Sequence, residues 1–243
     1  MDTPCISVQN VSQIYGSRQV LSGICLKIEK GCIYGILGPS GCGKTTLIKA
    51  ISGILVPTEG SVHVLGEPMP KLQLMNRIGY MAQSDALYMN LSGRDNLEFF
   101  AAMYGMKKAA VQKNITHALE LVQLSEHQHK PAGSYSGGMK RRLSLALAIV
   151  HRPEVLILDE PTVGIDPLLR RDIWNELDIM RQNGTTILVT THVMDEADRC
   201  QKLAMMREGQ ILTTGSPEEI KQRYQAASIE DAFLKLGSEV TAS

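Results

Sequence analysis

The chain has 243 residues, with 25 Lys plus Arg against 25 Asp plus Glu. That length can bury a full core in one large domain or a domain with a subdomain, and the charge balance lacks the net basic footprint of a dedicated nucleic-acid binder. No run of about eighteen apolar residues is present to span a bilayer, and the N-terminus lacks the basic-then-apolar layout of a secretory signal. The cysteines at 5, 25, 32, 42 and 200 contain no C-x-x-C pair. A disulfide framework or zinc site is therefore not expected, and a reducing compartment is, the cytosol by default.

In chain order, apolar runs rich in β-branched residues at 6–11, 24–28, 33–37, 62–65, 155–158, 186–190 and 203–206 predict strands. Alternation in the first two and at 62–65 points to an antiparallel sheet, whereas the continuously apolar 155–158 and 187–189 read as buried parallel strands. The 33–37 run leads into Gly38-Pro39-Ser40-Gly41-Cys42-Gly43-Lys44-Thr45, which matches G-x-x-x-x-G-K-[ST] between a strand and a helix start. Glycines at 38, 41 and 43 let the backbone curl and turn its N–H groups inward, where they and the following helix N-terminus can hold phosphate oxygens. Lys44 supplies a point charge for the β- and γ-phosphates, the Thr45 hydroxyl can ligate Mg²⁺, and Thr46 adjoins them as a further contact. A nucleoside triphosphate is the expected ligand. Cys42 sits where amides and Lys44 create positive potential, so its thiol is expected to be reactive, an inert filler being the other reading.

Between about 85 and 150 the strand signal vanishes. Leu97, Phe100, Ala101 and Tyr104 keep helical spacing, as do Val111, Ile115, Ala118, Leu119 and Val122, which predicts a helical insertion. Leu87, Tyr88, Met89 and Leu91 precede a helix starting near Ser92, and they suit either a docking groove or the core of that insertion. Ser136-Gly137-Gly138-Met139 opens an apolar helix whose Ser hydroxyl and glycine amides form a second anion site. The run 155–158 ends in Asp159-Glu160, placing two carboxylates at the C-terminal end of a parallel strand, where such sheets bind ligands. Asp159 would approach Mg²⁺ and Glu160 would polarise the attacking water. Ser216-Pro217-Glu218-Glu219 is a helix start, and residues 239–243 are expected to form a disordered tail after a single domain over 1–238.

Taken in order, these motifs resemble the ATP-binding subunits of ABC transporters over nearly the whole chain, the Ser136-Gly137-Gly138 stretch standing where that family has its signature. The resemblance implies a P-loop NTPase of α/β class, with a mostly parallel sheet, an N-terminal antiparallel β subdomain and an inserted helical subdomain. It also implies roles for single residues. Tyr15 matches the aromatic that stacks on adenine, and Gln83 the glutamine that links Mg²⁺ to the transport partner. Asp166 matches the acidic end of the loop crossing between subunits, and His192 the switch histidine that reads the γ-phosphate. Three positions depart from the family pattern: Tyr135 replaces Leu, Met139 replaces the signature Gln, and Ala82 stands where many relatives have Pro. Met cannot donate a hydrogen bond to ribose, whereas Ser136 and the glycine amides keep their phosphate grip.

In the family, two subunits pack head to tail around two ATP. The resemblance therefore implies a second copy or paralogue of the ATPase subunit, ATP and Mg²⁺ as cofactors, and an integral membrane permease holding the chain on the cytoplasmic face, while the charge balance argues against nucleic acid as a partner. The absence of an inserted coiled coil and of a second cassette points to a transporter subunit, and the Ser136-Gly137-Gly138-Met139 signature, the 162–167 stretch and the 229–234 stretch look most like type-two exporters. A non-transport ABC ATPase, an assembly factor or soluble regulator, is the rival reading, and a silent nucleotide-binding module is disfavoured by Lys44 and Glu160.

Overall fold

A computed structural model describes residues 3–84 and 86–241 and divides the chain into two compact units, Met1–Lys71 with Thr186–Ser243, and Leu72–Thr185.

The first unit holds an antiparallel sheet in the order β2-β1-β4-β5, from β1 (Ile6–Tyr15), β2 (Arg18–Ile28), β4 (Glu59–Val64) and β5 (Glu67–Pro68). β1 and β2 run further than the apolar pattern predicts, because register shifts between Val8 and Val11 and between Val11 and Gln13 break the alternation that marks a strand in sequence. The fully buried β3 (Ile33–Leu37) pairs in parallel with β8 (Thr186–Thr191) on one side and β9 (Lys202–Arg207) on the other. β10 (Gln210–Gly215), which lacks a strong apolar run, returns antiparallel to β9 through a tight turn with both Glu208 and Gly209 at positive φ. The helices of this unit are α1 (Lys44–Ile51), α6 (Met194–Ala197), α7 (Pro217–Arg223) and α8 (Ile229–Thr241). The expected capping box on α7 is present, Ser216 accepting from the Glu219 amide while Glu219 accepts from the Ser216 amide. The disordered tail expected at 239–243 is corrected for residues 239–241, which continue α8; residues 242–243 lie outside the described residues. Ile229, Ala232 and Leu236 give that helix a buried stripe, and Arg207 Nη1 donates to the Gly237 carbonyl at 3.0 Å.

The second unit contains the expected helical insertion together with two parallel strands, β6 (Ile78–Met81) and β7 (Val155–Asp159). β6 is weak in sequence because Gly79 interrupts it, yet only glycine fits there: a Cβ at 79 would lie 2.1 Å from the Ala148 carbonyl oxygen. Its helices are α2 (Gly93–Met103), α3 (Lys108–Leu121), α4 (Gly137–Ile149) and α5 (Pro167–Gln182). Ser92 and Asp95 close a capping box on α2, and Leu97 and Ala101 are buried on its inner face, as their spacing predicts. Asn96, a polar residue in that buried stripe, is satisfied by the Tyr88, Leu91 and Ser92 carbonyls.

Just past α4, the His151 ring stacks on Tyr104 with centroids 3.7 Å apart and planes at 16°. Its Nε2 lies 3.3 Å from the Ile78 carbonyl, whereas Nδ1 is buried with no hydrogen-bond partner. The neutral ring therefore carries its proton on Nε2, and a second proton would put a charged donor where nothing accepts. Burial pushes His151 down to about 4, the Ile78 carbonyl opposing only in part. With the folded pKa below the unfolded one, the unfolded chain binds the extra proton first, so stability falls as pH drops from about 6.5 towards 4. Urea unfolding should show a loss of about 2 kcal/mol over this window, allowing for the ring's residual exposure, that is absent in His151→Phe. Equal acid slopes for the two proteins would refute it.

Candidate functional site

In the first unit, β3 delivers the chain into a loop whose shape is set by close contacts. A Cβ on Gly38 would lie 2.3 Å from the Met206 carbonyl oxygen, and one on Gly43 would lie 3.0 Å from the Val20 carbonyl oxygen. Gly41 and Gly43 also sit at φ +80° and +108°, where residues with a Cβ are strained, and Gly43 is the N-cap of α1. The buried Lys44 ammonium folds back over the loop, Nζ donating to the Gly38 and Pro39 carbonyls at 2.8 and 3.0 Å. Thr45 and Thr46 follow on the first turn of α1, half-buried, while Pro39, Ser40 and Gly41 are exposed. Beside the loop is a cavity of about 300 Å³ that reaches Arg18 and Val20 on β2. Tyr15, at the end of β1, keeps an exposed ring suited to stacking.

Cys42 does not present its thiol to solvent. It is buried, and its Sγ would be 2.8 Å from a Cβ on Gly38, so the reactive thiol expected from the loop's positive potential is corrected to a packed side chain. Its carbonyl has the structural task, accepting from the Gly209 amide at 3.0 Å, while the Gly209 carbonyl accepts from Ser22. This clamp from the β9–β10 turn has no signal in the sequence beyond an ordinary Glu-Gly turn. His192 is exposed after β8; Thr191 before it donates to Glu196 at 2.6 Å and accepts from the Val193 amide, pinning the backbone around it.

In the second unit, β7 carries Asp159 to its end, fully buried, with Glu160 next and half-buried at φ +52°. Burial pushes the neighbouring Tyr80 phenol up to about 12, with the Asp159 charge adding to the shift. Gln83, exposed, follows the parallel strand β6, so the two parallel strands bring the Gln83 segment and the Asp159–Glu160 turn to the same ends of a strand pair. Ser136 caps α4, its Oγ accepting from the Met139 amide at 3.3 Å. Cβ atoms at Gly137 and Gly138 would meet nothing closer than 3.5 Å, so that helix end is open to an anion. Tyr135, the residue in place of Leu, is buried with its hydroxyl donating to the His127 carbonyl at 2.7 Å, and Gly93 makes room for it. Asp166 is exposed and has a local duty unforeseen in the sequence, accepting from the Leu169 amide as N-cap of α5.

The loop fits a polyphosphate: it is a backbone cradle that side chains would fill, closed by one ammonium. Thr45 in the first unit and, separately, Gln83 and Asp159 in the second each carry side-chain oxygens, the ligand type Mg²⁺ prefers. These features define a P-loop nucleotide-binding protein.

The chain belongs to the ABC transporter family, whose profile matches residues 21–163. It is 34% identical over 238 residues to the probable multidrug ABC transporter ATP-binding protein YbhF of Escherichia coli, covering 95% of this chain and 41% of YbhF. The chain thus spans about two fifths of that relative's length. To the Nod factor export ATP-binding protein I of Burkholderia orbicola it is 39% identical over 223 residues, covering 90% of this chain and 73% of the relative. Among solved structures, an ATP-binding subunit of an ABC transporter superposes with a TM-score of 0.90 at 24% identity, covering 96% of this chain and 99% of the other, a likeness of fold. CbiO1 of Clostridium perfringens, described as part of an ABC transporter complex, gives 0.77 at 30% identity over 91% and 92%.

Burial of Cys42 against exposure of Cys25 sets an order of thiol reactivity. Maleimide should modify Cys25 at least about tenfold faster than Cys42, read by peptide mapping. A Cys42 rate equal to that of Cys25 would contradict the packing.

Proposed function

We propose that this chain is the ATP-binding and ATP-hydrolysing motor of an ABC transporter of the exporter class, working as a head-to-tail pair at the cytoplasmic face of a membrane and driving a separate permease. The observation that carries the reading is the phosphate loop with its buried Lys44, built against β9 so that only glycine fits at 38 and 43. The names of YbhF and of the Nod factor export protein support transport outward. Among the described residues no helix is long and apolar enough to cross a membrane.

In this mechanism the loop amides and Lys44 hold the phosphates and Tyr15 stacks on the base. Thr45, Gln83 and Asp159 would hold Mg²⁺, which when bound draws charge from the phosphate oxygens. Glu160 accepts a proton from the attacking water, and His192 holds the γ-phosphate in line. Ser136, Gly137 and Gly138 of one copy grip the nucleotide seated on the other copy's phosphate loop, near Asp166. Closure of the pair then follows nucleotide occupancy.

An apolar patch that follows Gln83 in the chain supports the permease partner. Tyr88, Met89 and Phe99 are 48, 40 and 40% exposed, and the Tyr88 and Phe99 rings meet edge to face at 4.7 Å. Leu87 and Leu91 are half-buried. Exposed apolar groups gathered in this way mark interaction surfaces rather than core.

Glu160→Gln should lower kcat about 10²–10⁴-fold while trapping an ATP-bound dimer on size-exclusion chromatography. Lys44→Ala should instead weaken ATP binding by about 10–100-fold and abolish the dimer. A Glu160→Gln protein that stays monomeric at saturating ATP, or hydrolyses at the wild-type rate, would overturn the assignment. Tyr88→Glu with Met89→Glu should leave hydrolysis by the isolated chain within about twofold of wild type, because neither residue belongs to the groups assigned to the nucleotide, yet prevent co-purification with the permease. Insolubility of that double variant would return the patch to the core.

A further inference from the structure

Arg141 lies on the first turns of α4, shortly after the Ser136 cap, and it is almost completely buried. Its guanidinium is shared between two chain segments. Nη1 donates to the carbonyls of Ala82 and Gln83 at 2.7 and 3.0 Å. Nη2 donates to the carbonyl of Asp159 and to that of Glu160, the latter at 2.7 Å. One planar fork thus joins the turn after β6 to the turn after β7. Arginine alone among side chains presents several donors in a fixed plane, so the spacing of the two turns is set by the width of a single rigid group.

The conformation of Glu160 gives this tie a consequence. Its φ of +52° is a left-handed backbone angle that a residue with a Cβ adopts only when its surroundings impose it. The two bonds from Nη2 hold the peptides on both sides of that residue, and so set the direction in which its side chain leaves the strand. Movement of the Ala82 and Gln83 carbonyls would reach the same guanidinium and, through it, Glu160.

We propose that Arg141 is a positioning residue that links the Gln83 segment to the hydrolytic turn, so that the seating of Gln83 and the attitude of the Glu160 carboxylate change together. The inference rests on the reading of Glu160 as the group that activates water. It assigns no contact between Arg141 and nucleotide; the arginine acts through the two turns it joins. The physical warrant is a contiguous set of charge-assisted hydrogen bonds, stronger than neutral ones and shielded from water.

Arg141→Lys separates this role from simple packing. Lysine keeps the charge but reaches only one of the two turns at a time. Steady-state kinetics should show kcat reduced about tenfold or more, with KM for ATP within about twofold of wild type. Hydrogen exchange followed by mass spectrometry should accelerate in the peptides covering 82–84 and 159–161 together, while the buried face of α4 at Leu143 and Leu147 stays protected. Arg141→Gln, which removes the charge as well, should loosen the same two segments and provides a second variant if lysine is not tolerated. Faster exchange in only one segment, faster exchange spread through α4 and β7, or an unchanged kcat would each overturn the proposal. The exchange measurement does not depend on the chemistry: were Glu160→Gln to hydrolyse ATP like the wild type, the role of that carboxylate would fall, while the paired loosening would still decide whether Arg141 joins the two turns.

Discussion

The first unit depends on a constraint of close approach: the phosphate loop can curl only because neighbouring backbone comes within reach of its glycines. The Met206 carbonyl lies where a Gly38 side chain would be, and the Val20 carbonyl lies close to where a Gly43 side chain would be. The parallel pairing of β3 with β9 brings Met206 there, and the turn beyond it sends Gly209 to bind the Cys42 carbonyl. Gly209 is itself hemmed in, since a Cβ on it would lie 2.4 Å from the Val20 carbonyl oxygen. The loop is thus held from outside by backbone, leaving its inner surface for a ligand, and Lys44 tightens it by bonding back to its own first residues. Preorganisation of this kind removes the cost of ordering the donors when phosphate arrives.

In the second unit the ordering element is a side chain. The turns after β6 and β7 direct four carbonyls at α4, and a buried carbonyl must find a donor. Arg141 supplies the donor to four of them at once. The cost of burying its charge is offset by those oxygens, as it must be for an arginine this little exposed. Further along the same unit, Tyr88, Phe99, Phe100 and Tyr104 make a chain of ring contacts that ends in the stack on His151. The exposed end of that chain is adaptable surface, whereas its buried end holds a histidine that resists protonation.

Much of this was legible from local patterns. The phosphate loop, the Asp159–Glu160 strand end, the Ser136 and Ser216 helix starts and the two amphipathic helices of the insertion all depend on residues near in sequence: glycines where φ is positive, hydroxyls that cap, apolar side chains every third or fourth position. β6 and β10 were not legible, because Gly79 interrupts the first, whose partner β7 is distant in sequence, and threonines dilute the second. The extension of β1 and β2 was hidden by bulges.

The amino-acid sequence by itself determined the chemistry available, since a motif's donors, charges and backbone freedom are properties of the residues that spell it. It also determined family membership, because motif order survives any change of packing. Only the tertiary structure decided what each residue faces. It buried Cys42, whose sequence neighbours promised reactivity, exposed Tyr88 and Met89, whose apolar character suited a core equally well, and turned Arg141 from one of several basic residues on a helix into the junction of two turns. The reason is physical: solvent access and hydrogen-bond partners are set by chain segments tens of residues away, and no local pattern records which segment arrives.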